Sequence, residues 1–145
     1  MELPTYITIE EVKRICKELG IRDWTTLSKA EVLPEEAALI QERIGSEAAM
    51  IPPAEFLQGL EVELEHGIQF PDANVTNNHP LLTGKIVLAH LKETLDYYAR
   101  LEVAELEGDL LKALVAKNPA KVERLYKKLV EARLALSKAE TAQIG

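Results

Sequence analysis

Hydrophobic residues recur along most of this chain at intervals of three and four, the spacing of an amphipathic α-helix. The first stripe consists of Val12, Ile15, Cys16 and Leu19. Thr8 and Glu11 stand in the arrangement of a helix-capping box ahead of this stripe, and Gly20 suits the left-handed residue that ends a helix. The pattern predicts a helix over about residues 9 to 19, in which Cys16 is a small buried hydrophobe.

A second helix is predicted to begin at Pro34, because proline fits the first helical position. Glu35 and Glu36 then lie against the positive end of the helix dipole, and Gly45 follows the apolar edge. The rest of residues 21–53 is less clear: Ser46 suits the cap of another short turn, and Pro52 with Pro53 closes the segment. The pattern therefore indicates a short helix inside a less regular segment.

The stretch GLEVELEHG at 59–67 is ambiguous on its pattern alone. Leu60, Val62 and Leu64 alternate with glutamates, as residues of a strand would. Glutamate is poor in strands, however, and Phe56, Leu60 and Leu64 also form a helical stripe after Pro53. We expect a helix from about 54 to 66 that Gly67 ends.

A long loop and a long helix follow. Residues 67–82 read GIQFPDANVTNNHPLL, and a loop of this length in a compact domain is functional or packed upon itself. From about 81 to 107 the chain carries two apolar stripes, which predicts a central helix. Their members are Val87, Leu91, Leu95 and Tyr98 in one, and Ile86, His90, Glu93, Tyr97 and Leu101 in the other. Gly108 is expected to interrupt this helix, and Asn118 with Pro119 to start the last one.

These elements predict an all-α fold, a compact single-domain bundle of about five helices with a long ordered loop at 67–82. The length of 145 residues and the 47% hydrophobic content agree with one globular domain. No apolar run approaches the ~20 residues that span a bilayer, so no membrane partner is expected. The N-terminus lacks the pattern of a signal peptide, which indicates a cytoplasmic protein.

Charge narrows the classes of partner. The formal net charge is −7, and nucleic acid is not expected as a partner because phosphates require concentrated Lys and Arg. The stretch from Lys112 to Lys138 is locally basic, which we interpret as a solvated helix face. Apolar positions in the last helix exceed what a short domain must hide, and they are Val122, Leu125, Tyr126, Leu129 and Leu136. They predict self-association or a protein partner at the C-terminal helix.

Candidate chemistry is confined to two helices. Glu63 and His66 stand three residues apart, and His90 and Glu93 repeat this pairing in reverse order, with Tyr97 one turn further. Antiparallel packing would bring Glu63, His66, His90 and Glu93 together as ligands for Zn or Fe. Ferritin-like sites use two Glu-x-x-His motifs, whereas this chain has one.

The alternative is a structural polar cluster without a cofactor, which is the interpretation that we favour. Buried imidazoles need hydrogen-bond partners, and glutamates on a facing helix supply them. In this interpretation the cluster also holds the loop through Asn74, Thr76 and Asn77. Nucleophile or phosphate-binding motifs of known enzymes do not occur, so enzymatic activity is not expected.

The polar stretches resemble an uncharacterised family of small bacterial and phage-encoded proteins. The resemblance lies in VELEHG at 62–67, NVTN at 74–77 and GKIVLAHLKETLDYYARL at 84–101. It implies a family-like core over 8–21 and 56–101, an insertion at 23–53 and a C-terminal helical extension at 109–140. Asn78 and His79 depart from the acidic residues that the family tends to have before the proline.

The resemblance implies no activity, but it does imply an origin. We expect a non-enzymatic structural or interaction module, associated with a phage or prophage, which would place it in the virion if it is phage-encoded. The alternative function is a metal-binding helical protein with ligands from two helices.

Overall fold

The computed structural model describes residues 3–145, and the fold is all-α, as predicted. Six α-helices account for most of these residues, one more than the sequence indicated. They are α1 (Ile9–Leu19), α2 (Pro34–Ile44), α3 (Pro53–Gln69), α4 (Pro80–Glu93), α5 (Tyr97–Val115) and α6 (Pro119–Ile144). Within residues 3–145 there is no strand, and no helix is both long and apolar enough to cross a membrane.

The chain divides into two compact units, the first ending at Glu93 and the second comprising Thr94–Gly145. The sequence indicated one helical domain with an extension from residue 109. The boundary between the units falls earlier, in the short segment between α4 and α5.

Helix α1 forms where local signals predict it. The Thr8 hydroxyl oxygen accepts the Glu11 N–H at 3.1 Å, and Gly20 adopts the left-handed conformation with φ 71°. The Gly20 N–H and the next N–H donate to carbonyl oxygens of the last turn. The ends of α1 are therefore satisfied by residues within one turn, which is why the sequence alone located them.

Helix α4 is central in the first unit, where it packs against α1, α2 and α3. Gly84 allows α4 to approach α2 closely, since a Cβ at this position would meet the Ile40 side chain at 2.8 Å. The core of this unit is apolar, and its most buried members include Val12, Cys16, Trp24, Ile40, Phe56, Leu60, Leu64 and Val87. Trp24 and Ile40 come from the segment 23–53, so this segment supplies core residues.

Helix α3 is longer than predicted. It does not end at Gly67 but continues to Gln69. The irregular segment that follows shrinks to residues 70–79 and contains a short 3₁₀ turn, Pro71–Ala73. Gly67 is therefore an interior residue of α3, and a tertiary contact with the following loop accounts for the glycine at this position.

The predicted helix over 81–107 is wrong in one respect, because the chain breaks it after Glu93. Thr94–Asp96 form a turn, and α5 then runs through Gly108, which does not interrupt it. Asp96 is buried at this turn and accepts hydrogen bonds from Thr94 and from the Arg100 guanidinium. A carboxylate with these partners stabilises the turn. In an uninterrupted helix, Asp96 would fall outside both apolar stripes and therefore on the exposed side.

The second unit is an antiparallel hairpin of α5 and α6. Asn118 begins α6 as predicted, since its side chain accepts the Lys121 N–H at 3.1 Å. The side chains buried in this hairpin are Asp96, Tyr98, Ala113, Leu125, Leu129 and Ala132. Many large apolar side chains remain exposed instead, and they are Leu111, Leu114, Val115, Tyr126, Val130, Leu134 and Ile144.

Candidate functional site

Three of the predicted site residues come together between α3 and α4. Nδ1 of His90 lies 3.0 Å from Oε1 of Glu63, close enough for an imidazole N–H to donate to the carboxylate. Nδ1 of His66 lies 3.9 Å from the other oxygen of the same glutamate. Glu63 is thus the centre of the Glu63 cluster, defined by Glu63, His66 and His90. Only 15% of the Glu63 side chain is exposed.

The other two predicted site residues lie at the end of α4 and at the start of α5. Glu93 is exposed on α4, and its carboxylate does not belong to the Glu63 cluster. Tyr97 is the first residue of α5 and lies in the second unit, where its ring meets the Tyr98 ring edge-on at a centroid distance of 5.1 Å. The turn at Thr94–Asp96 interrupts the helical stripe that the sequence suggested, after Glu93 and before Tyr97.

Among the side chains that the structure describes, no group of three or more His, Cys, Asp or Glu is placed to hold a metal. Structural zinc sites use four ligands and catalytic ones at least three. The two close approaches to Glu63 are instead those of a carboxylate flanked by imidazoles.

The loop after α3 is held mainly by its own asparagines. Asn74 donates from Nδ2 to the Gly67 carbonyl oxygen at 3.1 Å and to Oδ1 of Asn78 at 2.8 Å. Oδ1 of Asn74 accepts from the Thr76 hydroxyl at 3.3 Å. Asn77 donates to the carbonyl oxygen of Ile7 at 2.6 Å, ahead of α1. These partners differ from the histidines that the sequence suggested for Asn74, Thr76 and Asn77.

Two consecutive asparagines give this loop its path. Asn77 and Asn78 have φ values of 49° and 61°, in the left-handed region. Asparagine tolerates this region better than other non-glycine residues, because its short side chain can bond locally. Asn78 both occupies this region and accepts a hydrogen bond from Asn74.

Gly67 is required by the close approach of this loop to α3. A Cβ at Gly67 would overlap Oδ1 of Asn78 and come within 2.9 Å of Nδ2 of Asn74. The loop side chains thus occupy the space that any larger residue would fill. This contact explains why a glycine stands in the last turns of a helix that does not end there.

The cluster and the loop border one shallow pocket of about 220 Å³ in the first unit. Glu63, His66 and Asn74 supply its polar wall, and its apolar rim includes Phe70, Val75 and Ile86. All three rim side chains are exposed. The predicted residues from α3 and from the loop therefore share a surface.

His79 has a structural role that the sequence reasoning did not assign. It precedes Pro80 at the start of α4, and its Nδ1 accepts the Leu82 N–H at 3.3 Å. Burial lowers the pKa of His79, and nearby Glu11 acts in the opposite direction. The signal that could have identified it is its place directly before a proline that begins a helix, which is the N-cap position.

Two buried carboxylates also escaped the sequence reasoning. Glu36 is paired with Arg22 through contacts of 2.9 and 2.7 Å, and it accepts the Arg22 and Leu33 N–H groups as well. Burial would raise the pKa of Glu36, but the Arg22 hydrogen bonds and the two backbone N–H groups outweigh it and lower the pKa. Hydrogen bonds from Arg100 and then Thr94 lower the pKa of Asp96 to about 2. Both groups stabilise the fold within their own unit.

Comparison with known proteins gives one match. The family described as a protein of unknown function, DUF5661, matches residues 12–107. Neither a curated protein nor a solved structure matches the chain. The matched range contains the whole Glu63 cluster, the loop and the segment 23–53.

Proposed function

Because this chain belongs to the family of proteins of unknown function DUF5661, which brings no activity with it, we propose its function from geometry. The protein is a non-enzymatic structural or interaction module. The Glu63 cluster stabilises the first unit, and partner binding takes place on the helices of the second unit. The observation that carries this proposal is the row of exposed apolar side chains along α5 and α6.

The exposed side chains are too numerous and too regular for isolated surface residues. Tyr126, Val130 and Leu134 follow one another at intervals of four on α6, and about half of each side chain is exposed. Residues four apart share one side of a helix. A continuous apolar stripe of this kind on a soluble protein is typical of a protein-binding surface.

A structural role for the Glu63 cluster follows from where its groups point. Glu63 and His90 are half-buried and in contact across two packed helices, so each reduces the cost of burying the other. The loop asparagines have partners in the backbone and in each other. These contacts support a role of the cluster and of the loop in stabilising the fold.

The proposed interaction surface is tested by replacing its exposed side chains and measuring whether the fold is retained. We define the face variant as Tyr126→Gln with Val130→Gln, and the core variant as Leu125→Gln with Leu129→Gln. Glutamine is a good helix former, so a change in helix propensity does not confound the comparison. At low protein concentration the face variant is expected to retain its far-ultraviolet helicity and melting temperature, whereas the core variant loses both.

The outcome that contradicts the proposal is equal loss in the two variants. In that case Tyr126 and Val130 belong to the packing of the hairpin itself, and they are not available to a partner.

A metal-binding function with Zn or Fe is the second proposal, and the 3.0 Å approach of His90 to Glu63 is what favours it. Elemental analysis of protein purified without a histidine tag decides between the two. For a structural cluster we expect no stoichiometric metal. Stoichiometric Zn or Fe that is lost in both Glu63→Ala and His90→Ala, and kept in the exposed control Glu65→Ala, would establish the metal function instead.

Melting in excess chelator provides an independent test of the cluster. His90→Leu removes the imidazole next to Glu63, and an under-satisfied polar group of this kind costs roughly 1–3 kcal/mol. We expect His90→Leu to melt below the wild type even in chelator. Equal melting temperatures would contradict the structural role, since a metal site has already lost its ion under these conditions.

An association with a phage or prophage, and with it a place in a virion or in the cytoplasm, remains a proposal that rests on the family resemblance. Immunoblotting of the soluble cell fraction and of purified virions from a host that carries the gene would test it. Detection in neither the virions nor the cytoplasmic fraction would contradict both locations.

A further inference from the structure

We infer that the apolar side of the hairpin is covered by a second copy of this chain, in a symmetric dimer in which α5 of each copy lies opposite α6 of the other. This inference rests on the proposed function, because it names the partner of the same surface.

Matching intervals on the two helices identify that side. On α5, Leu110 and Leu114 lie three and seven residues after Glu107, and these intervals keep all three on one side of the helix. On α6, Val130 and Tyr126 lie three and seven residues before Arg133.

An ion pair joins the two sets. Arg133 reaches Glu107 at 4.0 Å, so the leucines of α5 and the apolar residues of α6 lie on the same side of the hairpin. Leu114 and Val122 also line a common apolar pocket of about 400 Å³ near the turn. We call this surface the hairpin face and define it by Leu110, Leu114, Val122, Tyr126 and Val130.

The hairpin face is large compared with what the hairpin buries. Leu114, Tyr126 and Val130 are 55%, 53% and 50% exposed. Two helices alone enclose only a narrow strip of side chains, and helical hairpins commonly complete their core by forming a four-helix bundle. A second copy supplies two further helices that carry the same face.

Charge selects a second copy over an unrelated partner. Helix α5 carries four acids, Glu102, Glu105, Glu107 and Asp109, against the two bases Arg100 and Lys112. Helix α6 carries six Lys and Arg against three Glu. A surface with one acidic and one basic half is complementary to itself after a two-fold rotation, which is the condition for a symmetric dimer.

The same charges select the orientation. A two-fold axis parallel to the helices places each acidic α5 opposite the partner's basic α6, with both turns at the same end. A two-fold axis across the helices places α5 opposite α5 and α6 opposite α6, so that like charges meet and the turns lie at opposite ends. Electrostatic complementarity favours the first arrangement.

Mass measurement tests the dimer directly. By light scattering coupled to size exclusion we expect the wild type to have twice the 16.2 kDa mass of one chain, and the face variant to have the mass of one chain. The matched control is Lys128→Gln with Glu131→Gln, which leaves the net charge unchanged. Lys128 lies two residues after Tyr126 and hence on the opposite side of α6. The control is expected to remain a dimer.

Two results overturn the inference. One is a wild type that stays monomeric at the highest concentration reached, and the other is a face variant that still dimerises. Failure of the proposed function gives a different result: the wild type is monomeric, and the face variant loses its helicity.

A distance between turns tests the orientation. Lys117 lies in the exposed turn between α5 and α6, whereas Cys16 is buried and remains unlabelled. Spin labels on Lys117→Cys should give a short interlabel distance in the dimer if α5 faces the partner's α6. The 19-residue α5 is about 28 Å long at 1.5 Å per residue. An interlabel distance of this length or more would overturn this arrangement.

Discussion

At the scale of single residues, the buried carboxylate of Asp96 has an extensive set of hydrogen-bond partners. Asp96 accepts from the Thr94 hydroxyl at 2.6 Å, from Arg100 at 2.8 and 2.9 Å and from Gln143 at 3.0 Å. These groups all favour the charged form, which is why the carboxylate remains ionised although it is buried. Asp96 therefore links the start of α5 to the end of α6.

The first prediction concerns acid stability at Asp96. Its pKa falls from 3.8 to about 2 on folding, so the stabilisation is complete above the unfolded value and is lost as pH falls from about 4 towards 2. One pKa unit corresponds to about 1.4 kcal/mol, which gives a loss of about 2 kcal/mol. Urea unfolding between pH 5 and pH 2 should show this extra loss in the wild type and not in Asp96→Asn. Parallel pH profiles for the two proteins would contradict it.

His79 is likewise held in one protonation state by its surroundings, but in the neutral form. Its imidazole accepts a backbone N–H at the start of α4, which requires an unprotonated Nδ1. The lowered pKa that burial produces keeps the ring in this form. The residue is thus useful to the fold because it is uncharged, although the sequence gives it the appearance of a third candidate for chemistry.

At the scale of elements, two glycines inside helices have opposite roles. Gly67 in α3 faces Asn74 and Asn78, while Gly108 in α5 has no atom within 4 Å of the position that a Cβ would occupy. Alanine is the better helix former by roughly 1 kcal/mol at an interior site. The local preference is the same for both positions, so only the tertiary surroundings distinguish them.

The second prediction uses this contrast. Gly67→Ala should destabilise the protein and loosen the loop, because the new methyl group displaces the asparagine side chains from their partners. Gly108→Ala should stabilise it by about 0.5–1 kcal/mol. Chemical denaturation measures both changes. Equal stabilisation in the two variants would mean that the asparagines move aside at little cost.

The candidate site could be predicted from the sequence only in part. The helical intervals of Glu63, His66 and His90 were sufficient to place them on facing sides of two helices, and the structure brings them together. Glu93 and Tyr97 follow the same intervals but lie at the end of α4 and beyond the turn. Periodicity carries no information on where tertiary contacts will interrupt a helix.

At the scale of the whole molecule, charge is divided unevenly along the chain. Up to Glu93 there are 8 Lys and Arg against 16 Asp and Glu, whereas from Thr94 there are 9 against 8. The net charge of −7 thus comes from the first unit. The six bases of α6 are interspersed with three acids, and one of the bases, Lys127, forms an ion pair with Glu123 at 2.8 Å.

The third prediction is that the protein does not bind duplex DNA at physiological salt. Nucleic-acid binding requires several phosphate contacts from a basic face, and the first unit adds repulsion. Fluorescence anisotropy of a labelled duplex should remain unchanged on titration. A rise in anisotropy that Lys121→Gln with Arg124→Gln abolishes would show that α6 is a nucleic-acid surface after all.

The sequence by itself determined the helical class and those helix ends that local groups satisfy. Thr8, Gly20 and Asn118 act on N–H or C=O groups within one turn, so their effect can be recognised without knowledge of the fold. The tertiary structure decided the continuation of α3 through Gly67 and the break before α5. Asn78 reaches Gly67 from a separate loop, and Gln143 reaches Asp96 from the far end of α6. Such contacts arise only when distant segments pack together, and a periodic pattern does not encode them.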